Sequence, residues 1–343
     1  MQTRKSILLI ILFITLGLWM IEGCRKNKVE LTAYPVQIPS HFPGTDYYQR
    51  YPITKEGFEL GRKLFYDRRF SVDGSISCGS CHQQVAAFGT FDHDLSHGVN
   101  GSHGIRNAMS LFNLAWRTSY GWDGKYTSLD AVYAAHINSP IEFGETIGGI
   151  INKLKTDSYY PQQFKTVYGS TYISEPRIFN ALTQFVSAFI SSATKYDSVK
   201  QKLKTFTTSE QAGYTVFLNK CNSCHAEPLF TDFSYRNIGL PLNTFNDKGR
   251  MTITGNKADS LKFRVPSLRN IFKSYPFLHD GRFIGFEQIF DHYQSGVQQS
   301  ATLDPVLTNG IQLSAAERTA LVDFFRTLTD NNFTSNSNFA APQ

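Results

Sequence analysis

Cys78-Gly-Ser-Cys81-His82 and Cys221-Asn-Ser-Cys224-His225 each set two thiols three positions apart with an imidazole directly behind the second. That spacing suits covalent haem attachment: two thiols add to the two vinyl groups of one macrocycle, and the following histidine is placed to coordinate its iron. At this chain's own composition chance supplies ~0.002 such motifs per chain, so a pair is on the order of a million to one against. A zinc ribbon also uses two cysteine pairs, but about 15 to 20 residues apart and without a histidine in both copies. A disulfide across two intervening residues is geometrically awkward and occurs mostly as a redox motif. The motifs therefore predict two covalently bound c-type haems.

The fifth cysteine, Cys24, follows Arg4-Lys5, a fifteen-residue apolar stretch from Ile7 to Ile21, and Gly23. This is the layout of a secretory signal over residues 1–23. Fifteen helical residues rise about 22 Å, short of the ~30 Å hydrocarbon core, so a stable single span is the weaker reading. The segment resembles a bacterial lipoprotein signal, with Cys24 as the lipidated mature N-terminus and Glu22 as a departure from the usual small or apolar residue. Export agrees with the cysteine motifs, because c-type haem is attached outside the bacterial cytoplasm. A periplasmic, lipid-anchored protein is the expectation.

Removing residues 1–23 leaves a net charge of +5 with no long basic run, which gives nucleic-acid binding no support. Hydrophobic residues at 41% against 18% charged exclude a disordered chain, and 343 residues exclude one small domain. Residues 24–50, with Pro35, Pro39 and Pro43, read as a tether and leading segment. Thr54 opens a helix over 55–66 whose apolar face is Phe58, Leu60, Gly61, Leu64 and Phe65. A second short helix, with Ala212, Val216 and Phe217, runs straight into Cys221. The chain is thus a degenerate repeat. Residues 176–193 form a strongly apolar helix, and Ser314 to Glu317 is a capping box before another over Ala320 to Leu328. Strand signals are few. The expected fold is mainly α, with two cytochrome c-like domains at 51–204 and 205–330, each carrying one haem, and a flexible Asn/Ser-rich tail at 331–343.

The motifs between and after the cysteines resemble the bacterial dihaem cytochrome c peroxidase family, including its methylamine-utilisation oxidase branch. The resemblance runs from about Leu60 to about Leu328: Leu60 to Asp67, Ser96-His97-Gly98, Arg106-Asn107-Ala108, Trp122-Asp123-Gly124, Pro140-Ile141-Glu142, Val265 to Asn270, and Pro276 to Gly281. It implies that the His82 haem handles hydrogen peroxide and the His225 haem accepts electrons from a small cytochrome c or similar donor. His97 lies where the family has a distal histidine of the first haem, with His93 and His103 close enough to compete.

Glu142 matches the family's acid/base glutamate, with Pro140 and Ile141 expected to keep its flank apolar. A carboxylate there can move a proton from the near to the far peroxide oxygen, which O–O cleavage requires. Phe143 and Val132 replace a methionine and a glutamine that the family often has nearby. Trp122 matches an electron relay between the haems, and His279 a non-ligating histidine near a propionate or the interface. Asn107, with carbonyls at Ser274 and Pro276, matches a calcium site, reasonable for an oxygen donor set. Tyr293 stands at the sixth-ligand position of the second iron, as in the methylamine-utilisation branch, with His292 and Met251 as competitors. A tyrosinate stabilises ferric iron and lowers the potential. The resemblance also allows a homodimer. The expected activity is peroxide reduction; the competing ones are oxidation of a protein or organic substrate by the same high-valent iron chemistry, and electron transfer without catalysis.

Overall fold

The computed structural model describes residues 29–91 and 93–342, so the signal segment and Cys24 lie outside the described residues. The principal helices are α1 (Lys55–Phe65), α2 (Leu129–Asn138), α3 (Ile147–Lys155), α4 (Tyr160–Tyr168), α5 (Glu175–Ser187), α6 (Thr208–Lys220), α7 (Phe286–Asp291) and α8 (Ala315–Arg326). Among the described residues one two-stranded antiparallel sheet, β1 (Tyr235–Arg236) on β2 (Phe263–Arg264), is formed, and no helix is long and apolar enough to cross a membrane. The molecule is mainly helical, as expected.

Local sequence explains where the helices begin. Thr54 Oγ1 accepts from Gly57 N at 3.1 Å to cap α1, with Glu56 in the first turn and Arg62 and Lys63 in the last, each complementing the helix dipole. Thr207 and Glu210 form a reciprocal capping box at α6, and Ser314 and Glu317 the expected one at α8. The apolar helix predicted over 176–193 stops at Ser187. Beyond it, side chains take the backbone groups a helix would use: Asn113 Oδ1 accepts from Ser191 N at 3.0 Å, and Asp330 Oδ2 from Ser192 N at 2.8 Å and Ala193 N at 2.9 Å.

Two helix pairs repeat one packing solution. A β-carbon added to Gly61 of α1 would fall 1.9 Å from the carbonyl oxygen of Ala181 in α5; one added to Gly213 of α6 would fall 1.9 Å from that of Ala320 in α8. Only glycine lets the backbones approach this closely. One turn on from each glycine, Phe65 meets Phe185 at 5.3 Å between ring centroids and Phe217 meets Phe324 at 5.2 Å. All four rings are buried, worth roughly 1.5–3 kcal/mol per side chain, and Phe217 lies in the turn that leads into Cys221.

Each pair anchors its own core. The first gathers Phe58, Phe65, Phe88, Phe185 and Phe189; the second gathers Tyr196, Phe217, Phe230, Phe324 and Leu328. The changeover falls between Phe189 and Tyr196, ahead of the expected boundary at Lys204. The tail expected to be flexible is instead packed: Phe333 and Phe339 are buried in the first core. Tyr66 donates to Phe339 O at 2.7 Å and Arg62 to Ala340 O at 2.7 Å. Two phenylalanines outweigh the Asn/Ser-rich composition around them. The leading segment is likewise docked, with Tyr34 stacked on Phe58 at 4.4 Å and His41 Nε2 2.8 Å from Asp197.

Gly213→Val tests the close approach, since overpacking typically costs about 1–3 kcal/mol. We expect a lower urea midpoint; an unchanged midpoint would show that α6 and α8 can part without loss.

Candidate functional site

Each motif histidine is fixed by its own backbone. Cys78–Cys81 is a single helical turn capped by Ser77, whose N–H donates to Ser80 Oγ at 3.0 Å, and His82 N closes the turn on Cys78 O at 2.9 Å. In the second motif His225 N donates to Cys221 O at 3.0 Å. The rings are then tied alike. His82 Nδ1 lies 2.8 Å from Phe88 O, and His225 Nδ1 lies 3.0 Å from Pro266 O and 3.3 Å from Phe230 O. A carbonyl can only accept, so Nδ1 carries the proton and Nε2 is left with its lone pair, the tautomer a metal-ligating histidine needs. Phe88 and Phe230 supply those carbonyls from left-handed backbone, φ +58° and +55°, and both are fully buried.

Burial sets the ionisation of these groups. It pushes the His82 imidazole down to about 4 and that of His225 below its ordinary value, so both rings are neutral at pH 7. It pushes the Cys78 and Cys221 thiols up to about 12, unlike the acidic thiols of redox Cys-x-x-Cys sites. None of the four motif cysteines is in a disulfide. Among the described residues no three His, Cys, Asp or Glu side chains converge in a way that could hold a metal ion. The second motif opens on a largely apolar cavity lined by Cys221, Cys224, His225, Val265, Phe290 and Phe325. Two thiols and an imidazole in an apolar slot fit a covalently held haem.

Around the first motif the expected distal groups are neighbours. The carbonyl of His97 lies 3.4 Å from Cys81 Sγ. The His97 ring stacks on His93 at 3.9 Å and meets His103 edge-on at 4.2 Å, so the three candidates form one cluster beside the motif. Val99 N donates to Glu142 O at 2.9 Å, joining this loop to the acid/base candidate. The Glu142 carboxylate is 24% exposed and accepts from His136 Nδ1 at 2.8 Å. His136, in the last turn of α2, was not singled out in the sequence; only its spacing of six residues from Glu142 hinted at it. Pro140 and Ile141 are exposed and do not supply the expected apolar flank, whereas Phe143 is buried.

Trp122 is buried on the wall of the second cavity and donates Nε1–H to Asn107 O at 2.9 Å. The segment from Asn107 reaches the first motif two residues later, where the Met109 backbone acts on the His82 ring. Trp122 thus lines the cavity that His225 also lines and is hydrogen-bonded to the segment that leads toward His82. Arg264 N donates to its carbonyl at 2.7 Å, and Arg106 bridges Asp123 and Asp247 at 2.7 Å each, locking the junction. His279 stacks on Phe263 at 3.6 Å, and its carbonyl accepts from Asn107 N at 2.7 Å.

Asn107, Ser274 and Pro276 share the wall of the same cavity, and Asn107 Nδ2 donates to Asp94 O at 3.0 Å. Tyr293 lies on a π-helical turn, His292–Gly296, a form frequent at functional sites. It lines the cavity, and burial, then the neighbouring Cys224 and Cys221, hold its hydroxyl well above the ordinary tyrosine value. Of its competitors, His292 is engaged by Ile238 O at 2.9 Å and Met251 does not line the cavity.

A sequence model described as di-haem cytochrome c peroxidase matches residues 55–205. Cytochrome c551 peroxidase of Nitrosomonas europaea is 32% identical over 283 residues, covering 81% of each chain. Methylamine utilization protein MauG of Methylorubrum extorquens is 29% identical over 287 residues, 81% of this chain and 79% of that one. Among solved structures, a MauG-like protein associated with microbial copper homeostasis superposes with TM-score 0.82 at 28% identity, covering 90% of this chain and 99% of that one. The chain belongs to the di-haem cytochrome c peroxidase family, which implies two c-type haems.

Burial of His279 pushes its imidazole down to about 4, below its ordinary 6.5. Between those values the unfolded chain binds the proton and the folded chain does not, so stability is present above pH 6.5 and falls as pH drops toward 4. Urea unfolding at pH 7 and 4.5 should show His279→Gln losing roughly 2–3 kcal/mol less than the parent on acidification. Equal acid sensitivity of the two proteins would contradict the buried neutral ring.

Proposed function

We propose that the protein reduces hydrogen peroxide to water at the His82 side, using two electrons from a small cytochrome c or similar donor that enter at the His225 side. Each turnover breaks one O–O bond, consumes two protons and two electrons and yields two waters. When bound, haem supplies the iron that binds peroxide and the redox equivalents. The chain supplies the rest.

The observation carrying this reading is the Glu142–His136 pair beside the His97 loop. In this reading Glu142 would take a proton from one peroxide oxygen and return it to the other. Its bond to His136 Nδ1 at 2.8 Å fixes the carboxylate's aim. With its Nδ1 bonded to Phe88 O, His82 would offer Nε2 to the first haem, His97 would be a further residue able to hold that haem, and Trp122 would carry electrons between the halves. Tyr293 would help hold the second haem in this reading, which its place on the cavity wall supports. Asn107 with the carbonyls of Ser274 and Pro276 holds a calcium ion at the junction. The chain is exported and tethered through Cys24, placing it in the periplasm.

Glu142→Gln should keep haem content while slowing peroxide turnover by roughly 10²–10⁴-fold. Unchanged peroxide kinetics would remove Glu142 from its role. A second reading, oxidation of a protein or organic substrate, is favoured by Tyr293 and by the MauG relatives. Steady-state turnover with reduced cytochrome c supports the first; peroxide consumption without such turnover supports the second.

A further inference from the structure

Among the described residues, three arginines that are buried or half-buried are each matched with carboxylates. Arg269 is bidentate on Asp197 at 2.7 and 2.9 Å, and Arg106 is shared between Asp123 and Asp247. Arg236, on the wall of the second cavity, pairs with Asp232 at 2.7 Å and Asp304 at 2.8 Å. Arg117 and Arg264 line that same cavity, and among the described residues neither forms an ion pair.

Their hydrogen bonds go to neutral groups. Arg264 is 3% exposed and donates to Ser119 Oγ at 2.7 Å, to the Tyr235 hydroxyl and to Gly121 O at 3.3 Å. Arg117 Nη2 reaches Ser110 O at 3.3 Å, while its Nε is buried with no hydrogen-bond partner. Burial first, and the charge of Arg264 second, push the Arg117 guanidinium down to about 10. The charges therefore lie close enough to repel each other in a dry setting. An uncompensated buried charge is costly, and two together more so, unless anionic groups arrive to meet them. A guanidinium is built for planar, bidentate pairing with carboxylate.

The cavity already contains the thiols and imidazole that hold a haem, and haem brings two carboxylates of its own. We propose that Arg117 and Arg264 anchor the two propionates of the haem held by Cys221, Cys224 and His225. The pairing leaves that half of the cavity neutral and fixes the macrocycle at the edge away from its thioether bonds. It rests on family membership and not on the peroxidase reading, so the two can fail separately.

The test is a spectroelectrochemical titration of the haem-loaded protein, with resonance Raman spectra of the propionate bending modes. Arg117→Gln and Arg264→Gln should each lower the midpoint potential of the His225-side haem, because a cation that favoured the added electron is gone. The propionate bands should shift, and the His82-side haem should keep its potential. Arg117→Lys and Arg264→Lys retain the charge and should return the potential toward the parent's while the Raman bands stay displaced. If a glutamine variant fails to load haem, the matching lysine variant decides the question through its Raman bands. Unchanged bands in the lysine variants, an unchanged potential in glutamine variants that load haem, or a shift confined to the His82-side haem overturns the proposal. So does a parent potential that follows phosphate concentration at fixed ionic strength, which would assign the pair to a diffusible anion.

Discussion

The bond from each motif imidazole to a backbone carbonyl is the constraint from which the rest of the molecule follows. It fixes the tautomer, aims Nε2, and depends on a fully buried phenylalanine, Phe88 or Phe230, held in left-handed backbone. Those phenylalanines stay in place because a helix pair closes tightly behind them, and each pair closes because a glycine faces a carbonyl. Packing and site chemistry are thus one structure, made twice. The two copies differ in their surroundings: the first faces a histidine cluster and a carboxylate, the second an apolar cavity with a tyrosine.

The junction between the copies is built from polar groups whose partners come from the other half. Arg106 to Asp247, Trp122 to Arg264 and Asn107 to His279 each cross from the first motif's side to the second's. Such buried, directional contacts hold Trp122 in one position against the second half, as the proposed relay role would need. The packed tail adds to this, because Asp330 caps the segment after α5 while Phe333 fills the first core.

Much of this was legible in the sequence because some chemistry leaves a fixed spacing. Two Cys-x-x-Cys-His motifs, Thr54 before an apolar face, and Ser314 three residues before Glu317 all act locally, so local reading finds them. The helix expected to reach residue 193 stopped early because Asn113 and Asp330, distant in sequence, took its backbone groups. His136 was missed for the same reason in reverse: its partner is close in sequence, but an imidazole on a helix carries no signal until the fold turns it toward a carboxylate. Arg117 and Arg264 carry no signal in sequence because what distinguishes them is that, among the described residues, no carboxylate forms an ion pair with either. The tail was misjudged because composition averaged away Phe333 and Phe339.

On the proposed function the two halves form one circuit, with electrons entering at the His225 side and peroxide consumed at the His82 side. Its most direct test is to supply purified, haem-loaded protein with one electron and calcium, then add one equivalent of hydrogen peroxide while following both haem spectra. The account predicts that peroxide is consumed, that the stored electron leaves the His225-side haem, and that the His82-side haem changes in the same phase. If neither spectrum changes, the circuit does not exist and the protein is not a peroxidase.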